Sequence, residues 1–185
     1  MEKGIDRSEF ERVINNVNKR LYLTPLQIKI LYEISESGEI NLEAISKNLG
    51  VSKSTIYYNY KKLEESGLIK KITLDLNDSL LGLEITAITF VWGRYSGASG
   101  EEIGDEIAKI PGVVSVYHML GDIKYIVISK ALNREDLKRI INSMANIEGV
   151  DRTSTQFTLN IIKEERDLLK CYPMEVAEIF FSKSE

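Results

Sequence analysis

The chain has 185 residues, 43% of them hydrophobic and 28% charged, and a formal net charge of −4. That suits one large domain or two small ones with ordinary cores, and it argues against a general nucleic-acid coat. No apolar run is long enough to span a bilayer, the N-terminus lacks a signal-like apolar segment, and the single cysteine, Cys171, excludes an internal disulfide or a Cys-rich zinc site. A soluble cytoplasmic protein is expected.

Charge is unevenly placed. Residues 1–77 carry 12 Lys/Arg against 11 Asp/Glu, and residues 78–185 carry 12 against 17. Five lysines (53, 61, 62, 70 and 71) fall within Lys53–Lys71. A local positive face on an acidic chain suits a DNA reader whose bulk serves another purpose.

Along the chain, Ser8-x-x-Glu11 reads as a capping box, and Phe10, Val13, Ile14, Val17 and Leu21 predict a first helix over 8–20. Thr24-Pro25 opens the next helix, with Leu26, Ile30, Leu31 and Ile34 as its apolar stripe and Gly38 as its stop. Leu42, Ile45 and Leu49 mark a third helix ended by Gly50. Ser52 caps a fourth whose inward face is Ile56, Tyr60 and Leu63, with Gly67 at its end. Ile69–Leu76 alternates in the manner of a strand. Helix, glycine turn, longer helix and strand make the layout of a winged helix-turn-helix.

The character then changes. The pattern predicts a strand over Glu84–Tyr95, a Ser/Gly loop, a helix over Glu101–Ile110, strands over Val114–Leu120 and Lys124–Lys130, a helix over Arg134–Ala145 capped by Asn133, and a last strand over Thr153–Ile162. Helix, x-Gly-Val, strand occurs at Val113 and again at Val150, 37 residues on. Two such βαβ units build a ferredoxin-like sandwich of four antiparallel strands with two helices on one face. On its first strand Thr86, Ile88, Phe90 and Trp92 share one side, and Ile85, Ala87, Thr89 and Val91 the other. Both sides are largely apolar, so a partner subunit is the economical cover for the face without helices.

The fold class is therefore α+β: an N-terminal winged helix-turn-helix domain over 1–77, a linker over 78–82, a ferredoxin-like βαββαβ domain over 83–163, and a C-terminal extension over 164–185. Within the extension, Val176, Ala177, Ile179, Phe180 and Phe181 are too apolar to expose, and a docked tail is expected rather than a membrane anchor.

In a helix-turn-helix the second helix presents its outward side chains to the major groove. Here those are Ser52, Lys53, Ser54, Thr55, Tyr57, Tyr58, Asn59, Lys61 and Lys62. The hydroxyls of Ser52 and Thr55 suit phosphates at a helix N-terminus. Ser54, Tyr57, Tyr58 and Asn59 offer base-edge contacts, and Lys61 and Lys62 are placed for phosphates. A capped amphipathic helix bearing lysines is, by itself, an ordinary surface helix. The two-helix context with Gly50, then Leu63…Gly67-Leu68-Ile69, favours DNA. An alternative is a metabolite-sensing or enzyme-regulating module whose helix-turn-helix mediates protein contacts.

Lys53–Tyr60 superficially resembles the recognition segment of tetracycline-repressor-type regulators, but those continue as helices. Residues 24–163 more closely resemble the Lrp/AsnC (leucine-responsive regulatory protein/asparagine regulator) family. The resemblance rests on the helix-turn-helix with Leu63…Gly67-Leu68-Ile69, Leu83-Glu-Ile-Thr-Ala, Pro111-Gly112-Val113, the Gly121-Asp122 turn and Thr153-Ser-Thr-Gln-Phe. It implies a transcriptional regulator that dimerises sheet to sheet, forms homodimers or higher oligomers, and binds effectors at subunit interfaces near the turn that carries Gly121, Asp122 and Lys124. A small-molecule effector contacted by Asp122, Lys124 and Thr155 is expected. Lys124 stands where an acidic residue is common. An ammonium there would repel a ligand's amino group and attract carboxylates, which argues against the family's usual amino acid and for an acidic metabolite; both are kept as candidate effectors. Gly-Asp is also plain turn chemistry.

Nothing in the sequence predicts an enzyme, a cofactor or a metal site. His118 lies on a predicted strand without a nucleophile signature, and Ser99-x-x-Glu102 reads as a capping box rather than a phosphate loop.

Overall fold

The computed structural model describes residues 21–93 and 100–182, so the helix expected over 8–20 and the Ser/Gly loop with its capping box lie outside the described residues. The chain divides into two compact units, one of 1–74 together with 163–185, the other of 75–162.

The first unit contains α1 (Pro25–Ser37), α2 (Leu42–Leu49), α3 (Lys53–Glu65) and, from the other end of the chain, α6 (Met174–Phe181). Thr24 caps α1 in a complete capping box with Gln27, and proline sits in its first turn. Asn41 caps α2, accepting from the Ala44 amide, and Ser52 caps α3, accepting from the Thr55 amide. Between α2 and α3 the chain reverses at Gly50, whose φ of 65° lies in the left-handed region that favours glycine. Ile28, Ile30, Ile45, Ile56 and Leu63 are almost wholly buried together, each stabilising the fold by about 1.5–3 kcal/mol relative to an exposed side chain.

No strand forms over Ile69–Leu76, a departure from the sequence reading. Ile72, Leu74 and Leu76 are 47%, 80% and 58% exposed. Alternation supplies a two-faced segment, but a strand exists only when a ladder partner takes its N–H and C=O groups, and this segment has no such ladder among the described residues.

The segment 163–182 belongs to the first unit. The Leu23 amide donates to the Phe181 carbonyl at 2.8 Å, and Leu23 and Ser182 form an isolated parallel bridge. The Tyr32 hydroxyl donates to the Tyr172 carbonyl at 2.7 Å, and Ser35 donates to Asp167 at 2.5 Å. Ala177 is fully buried in the same core as the helix-turn-helix, with Tyr172 and Phe181 packed against it.

The second unit is a four-stranded antiparallel sheet in the order β2-β3-β1-β4, made of β1 (Ile85–Gly93), β2 (Val113–His118), β3 (Tyr125–Ala131) and β4 (Val150–Phe157). Helices α4 (Gly100–Ala108) and α5 (Arg134–Ala145) cover one face, where Ile103, Ile107, Leu137, Ile140 and Met144 meet Ala87, Val91, Tyr125 and Val127. This is the expected ferredoxin-like sandwich. Gly112 enters β2 at a φ of 96°, and a Cβ there would lie 2.6 Å from Ile140 Cδ1 and 2.9 Å from the Lys130 carbonyl oxygen, so only glycine fits. The last strand stops at Phe157 rather than Ile162: Phe157 pairs with Ala87, two residues from the start of β1, and beyond it the Thr158 amide bonds the Thr86 carbonyl at 3.0 Å. Leu159 and Ile162 are accordingly exposed. Before β1, a short 3₁₀ turn (Ser79–Leu81) is tied to the sheet by an ion pair between Asp78 and the buried Lys130.

Candidate nucleic-acid interface and ligand-domain turn

Helix α3 has two unlike sides. Ile56, Tyr60 and Leu63 are buried, fixing the helix on α1 and α2, so the remaining positions face outward. Ser52, Lys53, Ser54, Thr55, Tyr57, Tyr58 and Lys62 are exposed; Asn59 and Lys61 are half-buried. At the N-terminus the Ser52 hydroxyl lies 3.0 Å from that of Ser54 and 2.8 Å from that of Thr55, a cluster of small polar groups beside free helix amides.

The cations of α3 are held by neighbours. Lys53 lies 3.7 Å from Glu43 on α2, and Lys61 is 2.5 Å from Glu64. The hydrogen bond to Glu64 raises the Lys61 pKa above the usual lysine value, and the same bond holds Glu64 below the usual carboxylate range. Lys62 sits 4.5 Å over the Tyr58 ring, which orients both side chains. Asn59 donates to the Thr55 carbonyl at 2.9 Å, engaging its amide nitrogen within the helix. Burial, followed by the Glu64 hydrogen bond, raises the pKa of Tyr60, whose hydroxyl stays a donor to Glu64 at 3.2 Å. The sequence marks Glu64 only as a counter-charge among the lysines and does not mark Glu43. Glu64 stands three residues after Lys61, a spacing that pairs side chains on a helix; Glu43 had no comparable local signal.

In the second unit the turn between β2 and β3 carries Gly121 and Asp122 in the open and Lys124 only 1% exposed. Backbone bonds from Lys124 N–H to Val91 and from Met119 N–H to the Lys124 carbonyl, both 2.8 Å, fix the turn to β1. Beside it, His118 stacks on Tyr125 with ring centroids 4.9 Å apart. Thr155 does not join this group. Its hydroxyl bonds that of Thr89 at 2.9 Å, on the far side of β1 and in the row of Val127, three residues along from Lys124. An open groove of about 530 Å³, lined by Ile85, Leu137, Ile141 and Phe157 with Glu84, Arg134, Lys138 and Thr158, lies at the opposite end of β1 and includes no predicted effector residue. No cluster of three metal-ligating side chains, and no helix long and apolar enough to cross a membrane, occurs among the described residues.

A helix-turn-helix with an outward polar helix, followed by a ferredoxin-like sandwich, is the layout of a two-domain DNA-binding regulator. Family models agree: the Lrp/AsnC ligand binding domain matches residues 88–168, and a winged helix-turn-helix DNA-binding family matches 23–70. An HTH-type transcriptional regulator of Pyrococcus abyssi is 38% identical over 143 residues, which cover 77% of this chain and 96% of that protein. The HTH-type transcriptional regulator FL11 of Pyrococcus furiosus is 34% identical over 149 residues, 79% of this chain and 95% of that one. Among solved structures, a Neisseria meningitidis transcriptional regulator in complex with L-methionine matches with a TM-score of 0.73 at 22% identity, covering 78% of this chain and 94% of that one. An AsnC family regulator from Agrobacterium tumefaciens gives 0.74 at 19%, covering 83% and 98%. The chain belongs to the Lrp/AsnC family of winged helix-turn-helix transcriptional regulators. The reading of the helix-turn-helix as a protein-contact module is thereby set aside.

Proposed function

We propose that α3 reads a DNA major groove through Ser54, Tyr57, Tyr58 and Asn59, while Ser52, Lys53, Thr55, Lys61 and Lys62 engage phosphates. The observation that carries this reading is the division of α3 into a buried apolar side and an exposed polar one. With Asn59 donating inside the helix, its carbonyl oxygen is the group left for a base. A homodimer formed over the open sheet face sets two recognition helices on one site, about one helical turn apart, and favours a palindromic operator. The protein acts by binding rather than by catalysis.

The effector is an amino acid or acidic metabolite, held at a subunit interface near the 121–124 turn. Gly121 lets the chain turn, Asp122 offers a carboxylate, and Lys124 contributes charge from beneath. Thr155, bonded to Thr89 and away from this turn, is a separate candidate contact through its remaining hydrogen-bonding capacity. That a structural neighbour binds L-methionine makes methionine the first compound to try. A mobility shift of the full chain on DNA upstream of its own coding region, at several salt concentrations and with or without methionine, tests the reading. A shift that weakens with salt and moves with the amino acid is expected. No shift at low salt would remove α3 as the reader.

A further inference from the structure

The DNA-binding unit holds a segment that the family pattern does not require. The two family models cover 23–70 and 88–168, so α6 at Met174–Phe181 lies beyond both. The family's helix-turn-helix pattern is thus complete without such a segment, yet here it is bound with specific chemistry.

Three kinds of contact hold it. Val176 and Ala177 are 5% and 0% exposed. Tyr32 on α1 donates its hydroxyl to backbone carbonyls, at 2.7 Å to Tyr172 and 3.3 Å to Leu169, while Ser35 donates to Asp167. Burial, then the nearby carboxylates of Glu175, Asp167 and Glu178, raise the Tyr32 pKa, so the phenol keeps the proton it donates. Finally, Leu23 pairs by backbone with Phe181 and Ser182, beside a T-shaped cluster of Tyr172, Phe180 and Phe181.

Ile30 and Ile34, on the side of α1 away from Tyr32 and Ser35, share one core with Ile56, Tyr60 and Leu63. A segment gripping α1 thus acts on α3 through one layer of side chains.

We propose that residues 169–182 are an intramolecular strap: a releasable element that docks on α1 and sets the DNA affinity of the helix-turn-helix, rather than a piece of its minimal fold. Docked, it holds α1 against α3 and keeps the recognition helix in its binding position. Released, it leaves the domain folded but loosened, with weaker DNA binding. The inference rests on the family's DNA binding and not on the role of any one recognition side chain.

The test uses the full chain with Ala177→Glu, which puts a charge into the fully buried contact, and Tyr32→Phe, which removes only the hydroxyl bonds. Cys171→Ser, in the same segment at an exposed position, serves as control. Hydrogen exchange is followed at 174–182 and at α3, and affinity for DNA from the chain's own upstream region is measured by fluorescence anisotropy. In Ala177→Glu the amides of 174–182 should lose protection and affinity should fall about tenfold, a difference of about 1.4 kcal/mol, while α3 amides stay protected. Tyr32→Phe should give smaller changes in the same direction, and Cys171→Ser none. Three results would overturn the proposal: unprotected 174–182 amides in the unmodified chain, affinity in Ala177→Glu within twofold of it, or loss of α3 protection, which would make the segment part of the fold itself. A Lys61→Ala variant that weakens DNA binding without changing exchange at 174–182 separates loss of phosphate contact from loss of the strap.

Discussion

The two faces of the ferredoxin-like sheet differ in how complete they are. Under α4 and α5, Ala87, Thr89, Val91 and Val127 are fully buried. On the other face Ile88, Phe90, Trp92, Ile126 and Ile128 remain half-buried and Tyr117 is 52% exposed, with Arg152 laid 3.9 Å over the Trp92 ring. Both faces are built of similar residues in strict alternation; only the covered one was given helices by the chain. The contrast teaches that residue type marks a surface for burial without saying what buries it. The DNA-binding unit repeats the lesson on a smaller scale, for α3 has one side finished by packing and one side left polar for an outside partner.

The largest effect belongs to the finished face. Ile140→Ala should cost about 2–5 kcal/mol, measured by urea unfolding of the full chain, because a fully buried isoleucine leaves a cavity. A loss below 1 kcal/mol would contradict the packing of α5 on the sheet. Phe90→Asp on the unfinished face should leave unfolding in dilute solution much less affected, yet dissociate the assembly in sedimentation velocity. An unchanged sedimentation coefficient would end the idea that this face meets a second subunit.

The next pair sharpens the contrast on α3. Tyr58→Ala removes a ring and the platform under Lys62, and should weaken specific DNA binding by about 1–3 kcal/mol in anisotropy titrations. Lys61→Ala should act more evenly across sequences and lower the salt slope by about one unit.

The smallest effect is electrostatic. Asp136 accepts from Arg139 and from the Leu132 amide, and these bonds hold its pKa below the ordinary carboxylate value. A depressed folded pKa adds stability that is present above the unfolded pKa and lost as pH falls through the folded one. Stability against pH should therefore decline below the usual carboxylate range, and Asp136→Asn should flatten part of that decline in acid unfolding curves.

Much of the fold was legible because local signals agreed. Thr24-Pro25, Ser52, Asn133 and the glycines after α1 and α2 marked boundaries, and α5 runs over the residues expected, Arg134–Ala145. Alternation alone misled at Ile69–Leu76 and at the end of β4, since pairing depends on a distant partner strand that no local pattern reveals. The outward side of α3 followed directly from its apolar spacing. The burial of Lys124 and the engagement of Thr155 with Thr89 did not, because each depends on sheet register, a long-range property. The apolar run around Phe180 announced a docked tail but not its receptor. That receptor is Tyr32 and Ser35, about 140 residues earlier and without a local signature.

One consequence concerns the order in which the protein is made. Residues 21–65 leave the ribosome early, but the segment that grips α1 is synthesised after the whole sensory domain. At about 5–20 residues per second, the nascent helix-turn-helix waits several seconds for its last contacts. During that interval the growing chain carries a folded but unstrapped DNA-binding unit, until the segment through Ser182 has been made.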